Sequence, residues 1–385
     1  MVVASVLFIV SALGSGLAGS LWSLGIWRLV GGVAIGMASV IAPAYIAEIS
    51  PAHLRGRLGS LQQMAIVVGI FAALMSDYAL ATQAGSASSV YWLGFPAWRW
   101  MFWAELPAAA LYGLGALLIP ESPRHLVARG RDEEALKVLR GIVGDTAPSK
   151  LVEIRRTLDT SRAPGLRDLR GRRFGLLPVV WVGIVLAMLQ QFVGINVIFY
   201  YSSVLWQAVG FSEQSSLAIT VFTSITNIVT TVLAILCVDR LGRRPLLLAG
   251  SVGMALTLGM LAYLFGTAGL DPQGNPVLQG GRGMLALVCA NLYVFCFGFS
   301  WGPVVWVMLG EMFPNRIRAV ALALAAAAQW VANFLVSATF PTLQSAGLGL
   351  AYGLYTAAAV LSLLFTVKYI RETKGKELEH MENEP

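Results

Sequence analysis

Three side-chain amides, Gln190, Gln191 and Asn196, stand inside an apolar run from about Leu176 to Val209, which is long enough to cross a bilayer. An unpaired polar group in hydrocarbon costs roughly 2–7 kcal/mol. Each amide must therefore face protein, a water-filled cavity or a ligand. At about 100° per residue the three fall all around a regular helix, so no single helical face presents them together. Gly194 lies between them and permits the local break by which membrane carriers aim several polar groups at one point. Two roles fit these residues: hydrogen bonding between helices, and contact with an uncharged, hydroxyl-rich ligand, since an amide donates and accepts at once.

The elements that must carry these residues follow from composition. The chain has 385 residues, 57% hydrophobic and 12% charged, with a mean hydropathy of +0.71. So little charge cannot cover a soluble protein of this length, and the fold expected is an all-α, multi-pass membrane protein. Cys237, Cys289 and Cys296 show no CxxC spacing and no histidine partners, so neither disulfides nor a metal site is expected. Without a metal-ligand cluster, nucleophile elbow or phosphate loop, no enzyme activity and no cofactor are expected. The opening MVVASVLFIV lacks a basic n-region and reads as a retained spanning helix.

Apolar windows place ten spans, at 2–20, 24–47, 58–82, 98–119, 176–209, 215–238, 245–267, 283–311, 318–341 and 350–370. The net charge of +7 is not a nucleic-acid footprint, because 24 of the 27 lysines and arginines fall after the even-numbered spans. That side is expected to be cytoplasmic, with both termini on it, in a cell membrane. Residues 120–175 form the one sizeable soluble segment, where Leu136, Val138, Leu139 and Ile142 make an apolar stripe among charges. The organisation expected is four spans over 1–119, a cytoplasmic linker of amphipathic helices over 120–175, six spans over 176–370 and a tail over 371–385.

An internal repeat supports two pseudo-repeated halves. Glu48-Ile-Ser-Pro51-Ala-His-Leu-Arg55 and Glu311-Met-Phe-Pro314-Asn-Arg-Ile-Arg318 both read E-x-x-P-x-x-x-R. With these units, PESPR at 120–124, Gln190-Gln191 with Gly194-Ile-Asn196, Asp239-Arg-Leu-Gly-Arg-Arg244, Trp301-Gly-Pro-Val-Val-Trp306 and ETKG at 372–375, the chain resembles the sugar porter family of the major facilitator superfamily. Within it the likeness is closest to the bacterial xylose–proton symporter type. The resemblance implies a twelve-helix fold of which this sequence carries ten, beginning at the third. Arg371 departs from the family's pattern, which has proline there.

The resemblance implies sugar contacts for Gln63, Gln190, Gln191, Asn196, Asn227, Trp306, Gln329, Trp330 and Asn333. Amides would meet hydroxyls and indole faces would cover the C–H side of the ring. It places Tyr200 and Tyr201 at an outer gate, a position an aromatic belt would also explain. Glu48, Arg55, Asp239, Arg240, Arg243, Arg244, Glu311 and Arg318 would form charge networks closing the cytoplasmic side. Arg28 is the intramembrane cation. In proton-coupled relatives the matching arginine faces a first-helix aspartate. Asp77 and Glu105 are read as outer-end acids reaching the interface.

The function expected is alternating-access transport of a monosaccharide, with symport of a proton implied by kinship. The partners expected are the sugar, a proton and the lipid bilayer, and no nucleic acid. A facilitative uniporter and a truncated or non-transporting sugar-binding membrane protein are the alternatives.

Overall fold

The computed structural model describes residues 1–49, 55–159, 165–171, 175–208, 210–270, 276–278, 281–314 and 317–373. The chain divides into two compact units, Met1–Gln62 with Ala79–Gly165, and Gln63–Tyr78 with Leu166–Pro385.

The first unit holds α1 (Val2–Leu17), α2 (Leu21–Ile49), the ends of α3 (Arg55–Ala84), α4 (Ala97–Trp103), α5 (Leu106–Leu118), α6 (Pro123–Ala128), α7 (Asp132–Val143) and α8 (Ala147–Asp159). In a bilayer, lipid is as apolar as leucine, so helices associate through small residues and internal hydrogen bonds. Accordingly α1 buries Ala4, Ser5, Ser11, Ala12, Gly14, Ser15 and Gly16. Ser5 donates to the Ala109 carbonyl at 2.8 Å and Ser11 to the Trp27 carbonyl at 2.8 Å. Trp27 packs directly over Gly14 and Trp103 over Gly16, where a Cβ would collide with either indole.

The charged segment after α5 folds as the short helices α6 to α8. Ser122 caps α6 and Pro123 opens it. Leu126, Val127, Ala135, Val138, Leu151 and Ile154 form a small separate core there.

The second unit holds α9 (Pro178–Phe192), α10 (Ile195–Tyr200), α11 (Ser202–Ala208), α12 (Glu213–Leu241), α13 (Arg243–Gly266), α14 (Arg282–Phe299), α15 (Trp301–Met312), α16 (Arg318–Ala346) and α17 (Leu348–Tyr369), joined by the middle of α3. Its core centres on Trp301, fully buried, whose indole N–H reaches the Ser251 hydroxyl at 2.9 Å and the Leu247 carbonyl at 3.1 Å. Among the described residues the one sheet is a two-residue antiparallel ladder, Gly269–Leu270 with Pro276–Val277.

Nine helical stretches among the described residues are long and apolar enough to cross a membrane. The remaining expected crossing, at 2–20, is α1. Its 16 residues cover about 24 Å at 1.5 Å each, short of the roughly 30 Å of hydrocarbon. Ala18 ends the helix in an extended conformation; the hydropathy window ran past it because Ala18 and Gly19 are apolar without being helical. Three spans, Ala97–Leu118, Pro178–Tyr200 and Arg282–Met312, each consist of two helices with a break between them.

Candidate functional site

At the break between α9 and α10, Gly194 takes φ +84, a left-handed conformation that costs an L residue roughly 1–2 kcal/mol. The Tyr355 ring lies so close that a Cβ on Gly194 would sit 2.8 Å from it. Gly194→Ala therefore combines strain with overpacking worth about 1–3 kcal/mol. A lowered unfolding midpoint is expected, whereas Gly353→Ala on α17, where nothing lies within 4 Å, stays within about 0.5 kcal/mol of the parent. Equal midpoints for the two variants would remove Gly194 from its role.

The break lets amides from two helices converge. Gln190 is buried; its Nε2 donates to the Trp301 and Gly302 carbonyls at 2.8 and 3.1 Å, and its Oε1 accepts from Gln329 Nε2 at 2.9 Å. Asn196 Nδ2 donates to Gln191 Oε1 and to Asn333 Oδ1, both at 2.7 Å. Five of the expected site residues are thus gathered by hydrogen bonds from α9, α10 and α16. The set is not self-satisfied. Gln329 Oε1 is buried with no partner. Gln191 Nε2, Asn196 Oδ1 and Asn333 Nδ2 also carry no hydrogen bond to another described residue. Amides that keep donors and acceptors uncommitted, one of them the buried Gln329 Oε1, are what a polar ligand would complete.

The remaining expected contacts are placed unequally. Gln63 is buried in the second unit, and its Nε2 lies 3.5 Å from where a Cβ on Gly302 would stand. Asn227 is buried and makes no hydrogen bond to the amide cluster; it packs on Gly298, with its Oδ1 unpartnered. Trp306 is half-buried on α15 against the core. Trp330, one position and about 100° round α16 from Gln329, is 40% exposed. The two tyrosines also separate. Tyr201 donates to the Ser337 carbonyl at 3.0 Å and packs on Phe340, while Tyr200 is 56% exposed.

The charged motifs meet across the second unit. Arg243 is buried and holds Glu311 in a two-pronged contact, Nη2 to Oε1 at 2.8 Å and Nε to Oε2 at 3.2 Å. Two residues to which sequence reasoning assigned no role complete this network. Thr373 donates to Glu311 Oε2 at 2.6 Å. The Glu372 carboxylate accepts from the backbone N–H groups of Arg243 and Arg244 at 2.9 and 3.0 Å, a negative charge at the positive end of α13. The signal for them was the ETKG segment, whose acid echoes that of PESPR. Arg244 donates to the Val367 carbonyl at 2.9 Å. Arg318 directs its guanidinium to the Phe313 carbonyl at 3.1 and 3.2 Å, and Arg240 is exposed. The side chains of Glu48, Arg55 and Asp239 fall outside the described residues.

In the first unit Glu105 faces Arg28 at 3.6 Å, both about half exposed, a pairing the sequence reading did not include. Arg28 also lies over the Phe102 ring. Glu105 sits at the junction of α4 and α5, inside the span Ala97–Leu118.

A bundle of spanning helices, broken where buried amides collect and clasped by a charge network at one end, is the construction of a membrane transporter. The comparisons agree. Residues 1–384 match the family described as Sugar (and other) transporter. The chain is 58% identical over 383 residues to a glucose transport protein of Synechocystis, covering 99% of this chain and 82% of the relative. It is 39% identical over 406 residues to the D-xylose-proton symporter of Escherichia coli, covering 99% and 79%. Among solved structures, the major facilitator superfamily proton:xylose symporter XylE bound to 6-bromo-6-deoxy-D-glucose superposes with a TM-score of 0.82 at 38% identity, covering 99% of this chain and 82% of that one. The chain belongs to the sugar transporter family of the major facilitator superfamily.

Proposed function

We propose that this protein carries a monosaccharide of the glucose or xylose kind across the cell membrane by alternating access, together with a proton. The observation that carries this reading is the buried amide set at the α9–α10 break, whose uncommitted donors and acceptors suit a ring of hydroxyls. In this reading Gln63, Gln191, Asn196, Gln329 and Asn333 meet hydroxyls, and Gln190 fixes Gln329 while offering its remaining acceptor capacity. Asn227, Trp306 and Trp330 line the wider passage, and Tyr200 and Tyr201 guard one end of it. Arg243, Glu311, Glu372 and Thr373 clasp the cytoplasmic end. Segments 1–119 and 176–370 act as the two halves, 120–175 and 371–385 are cytoplasmic, and both termini face that side. The names of the glucose and xylose relatives support the substrate class, and the Arg28–Glu105 pair supports a protonatable site.

The test is counterflow of radiolabelled glucose and xylose in proteoliposomes, with binding measured in parallel. Wild-type protein is expected to exchange at least one of these sugars. Gln191→Ala is expected to weaken its binding by roughly 1–3 kcal/mol, because a hydroxyl loses its partner in a buried site. Absence of exchange and of binding for every monosaccharide tried would reject the carrier reading. Unchanged affinity in Gln190→Ala, Gln191→Ala and the double variant would move the site elsewhere.

A further inference from the structure

Where α9 stops, the Val193 carbonyl loses its helical partner, because the N–H of Val197 turns to the Gly194 carbonyl at 3.1 Å instead. An orphaned carbonyl buried at this depth is costly. It is not orphaned: the Tyr293 hydroxyl, on α14 and fully buried, donates to it at 2.8 Å. On the other side of the bend the Tyr355 ring closes over Gly194. The α14–α15 span grips α9 a second time through the Trp301 and Gly302 carbonyls that accept from Gln190. The bend is therefore held from outside, and the hold has a geometric consequence. Gln191 belongs to α9 and Asn196 to α10, and their amides meet at 2.7 Å across the bend.

We propose that Tyr293 is a positioning residue of the sugar site: its hydroxyl, anchored on the Val193 carbonyl, sets the angle between the half-helices that carry Gln191 and Asn196. It makes no contact with sugar, since its side chain has no exposed surface and its one proton is committed. This rests on the carrier function proposed above. Binding constellations tolerate displacements of only about 0.5 Å, so a relaxed bend is read directly in affinity.

The experiment compares the wild type, Tyr293→Phe, Gln191→Ala and the double variant, using the full chain in detergent with glucose and xylose as probes. Sugar dissociation constants and melting temperatures are measured for each. Tyr293→Phe is expected to weaken binding about tenfold, yet by less than about twofold in the Gln191→Ala background, where the amide it positions is gone. Its melting shift should be the same in both backgrounds. A purely structural tyrosine would give the same fold-change in affinity in both, and that result, or an unchanged dissociation constant, overturns the proposal. Should Tyr293→Phe not accumulate, Tyr355→Leu, which keeps apolar bulk but removes the ring from Gly194, tests the same bend with the same expectation and the same overturning results. A wild type without affinity for any monosaccharide would overturn the carrier reading itself. Wild-type affinity with an indifferent Tyr293→Phe overturns this inference alone.

Discussion

Arg243→Ala is expected to cut sugar turnover at least tenfold while leaving equilibrium binding within about threefold of wild type. The guanidinium is buried and holds Glu311 at two points. Removing one partner of a fully buried pair costs about 3–5 kcal/mol. Glu311 remains 28% exposed, so water recovers part of that, and a cost of roughly 2 kcal/mol is the working figure. If the network exists in only one conformation, that cost enters the conformational equilibrium directly, and about 1.4 kcal/mol already shifts it tenfold. The amide cluster makes no hydrogen bond to Arg243, so affinity has no direct reason to change. Arg243→Lys keeps the charge but loses the fork geometry and should fall between the two. Counterflow rates and binding isotherms on the same preparation decide the matter. A loss of binding equal to the loss of turnover, in folded protein, would make Arg243 part of the sugar site and sink the gating role.

Much of this architecture was legible because hydrocarbon makes polar residues conspicuous. The break at Gly194 followed from three amides that no single helical face could present, and α9 does end at Phe192 with Gly194 left-handed. The other two breaks were not anticipated. Before α5 the signal was Pro107 in its first turn. At Ser300 it was Pro303 just inside α15. A hydropathy window reads across both, since it sums side chains and is blind to backbone direction.

Pairings were the least legible layer. Sequence put opposite charges in the motifs around Arg243 and Glu311, but nothing local says that residues 68 apart share a contact. Still less does it say that Glu372, 129 residues from Arg243, caps α13. Tyr293 was invisible for a related reason. A tyrosine in an apolar span reads as core or belt until the carbonyl it serves, 100 residues away, is known to have been released by a break.

Glu105→Gln is expected to abolish sugar accumulation driven by a proton gradient while leaving counterflow within about threefold of wild type. Sequence gave Glu105 a depth along its own helix but could not show that Arg28 crosses at the same level; the 3.6 Å contact does. An arginine inside a span is costly without a counter-charge, so the two groups stabilise each other while Glu105 is ionised. A proton can drive transport only if it binds one conformation better than the other, and a pair whose contact exists in only one conformation has that property. Glutamine fixes the neutral form permanently. Exchange of sugar for sugar needs no net proton movement and should survive, whereas accumulation needs a carboxyl group at this position and should fall to the equilibrium ratio. Accumulation undiminished in Glu105→Gln would exclude this acid as the proton site. Loss of counterflow as well, with sugar binding intact, would mark the pair as part of the conformational machinery without a coupling role. A wild type that equilibrates sugar but never accumulates it under an imposed gradient would identify the protein as a facilitative carrier, in which Glu105 serves only to neutralise Arg28.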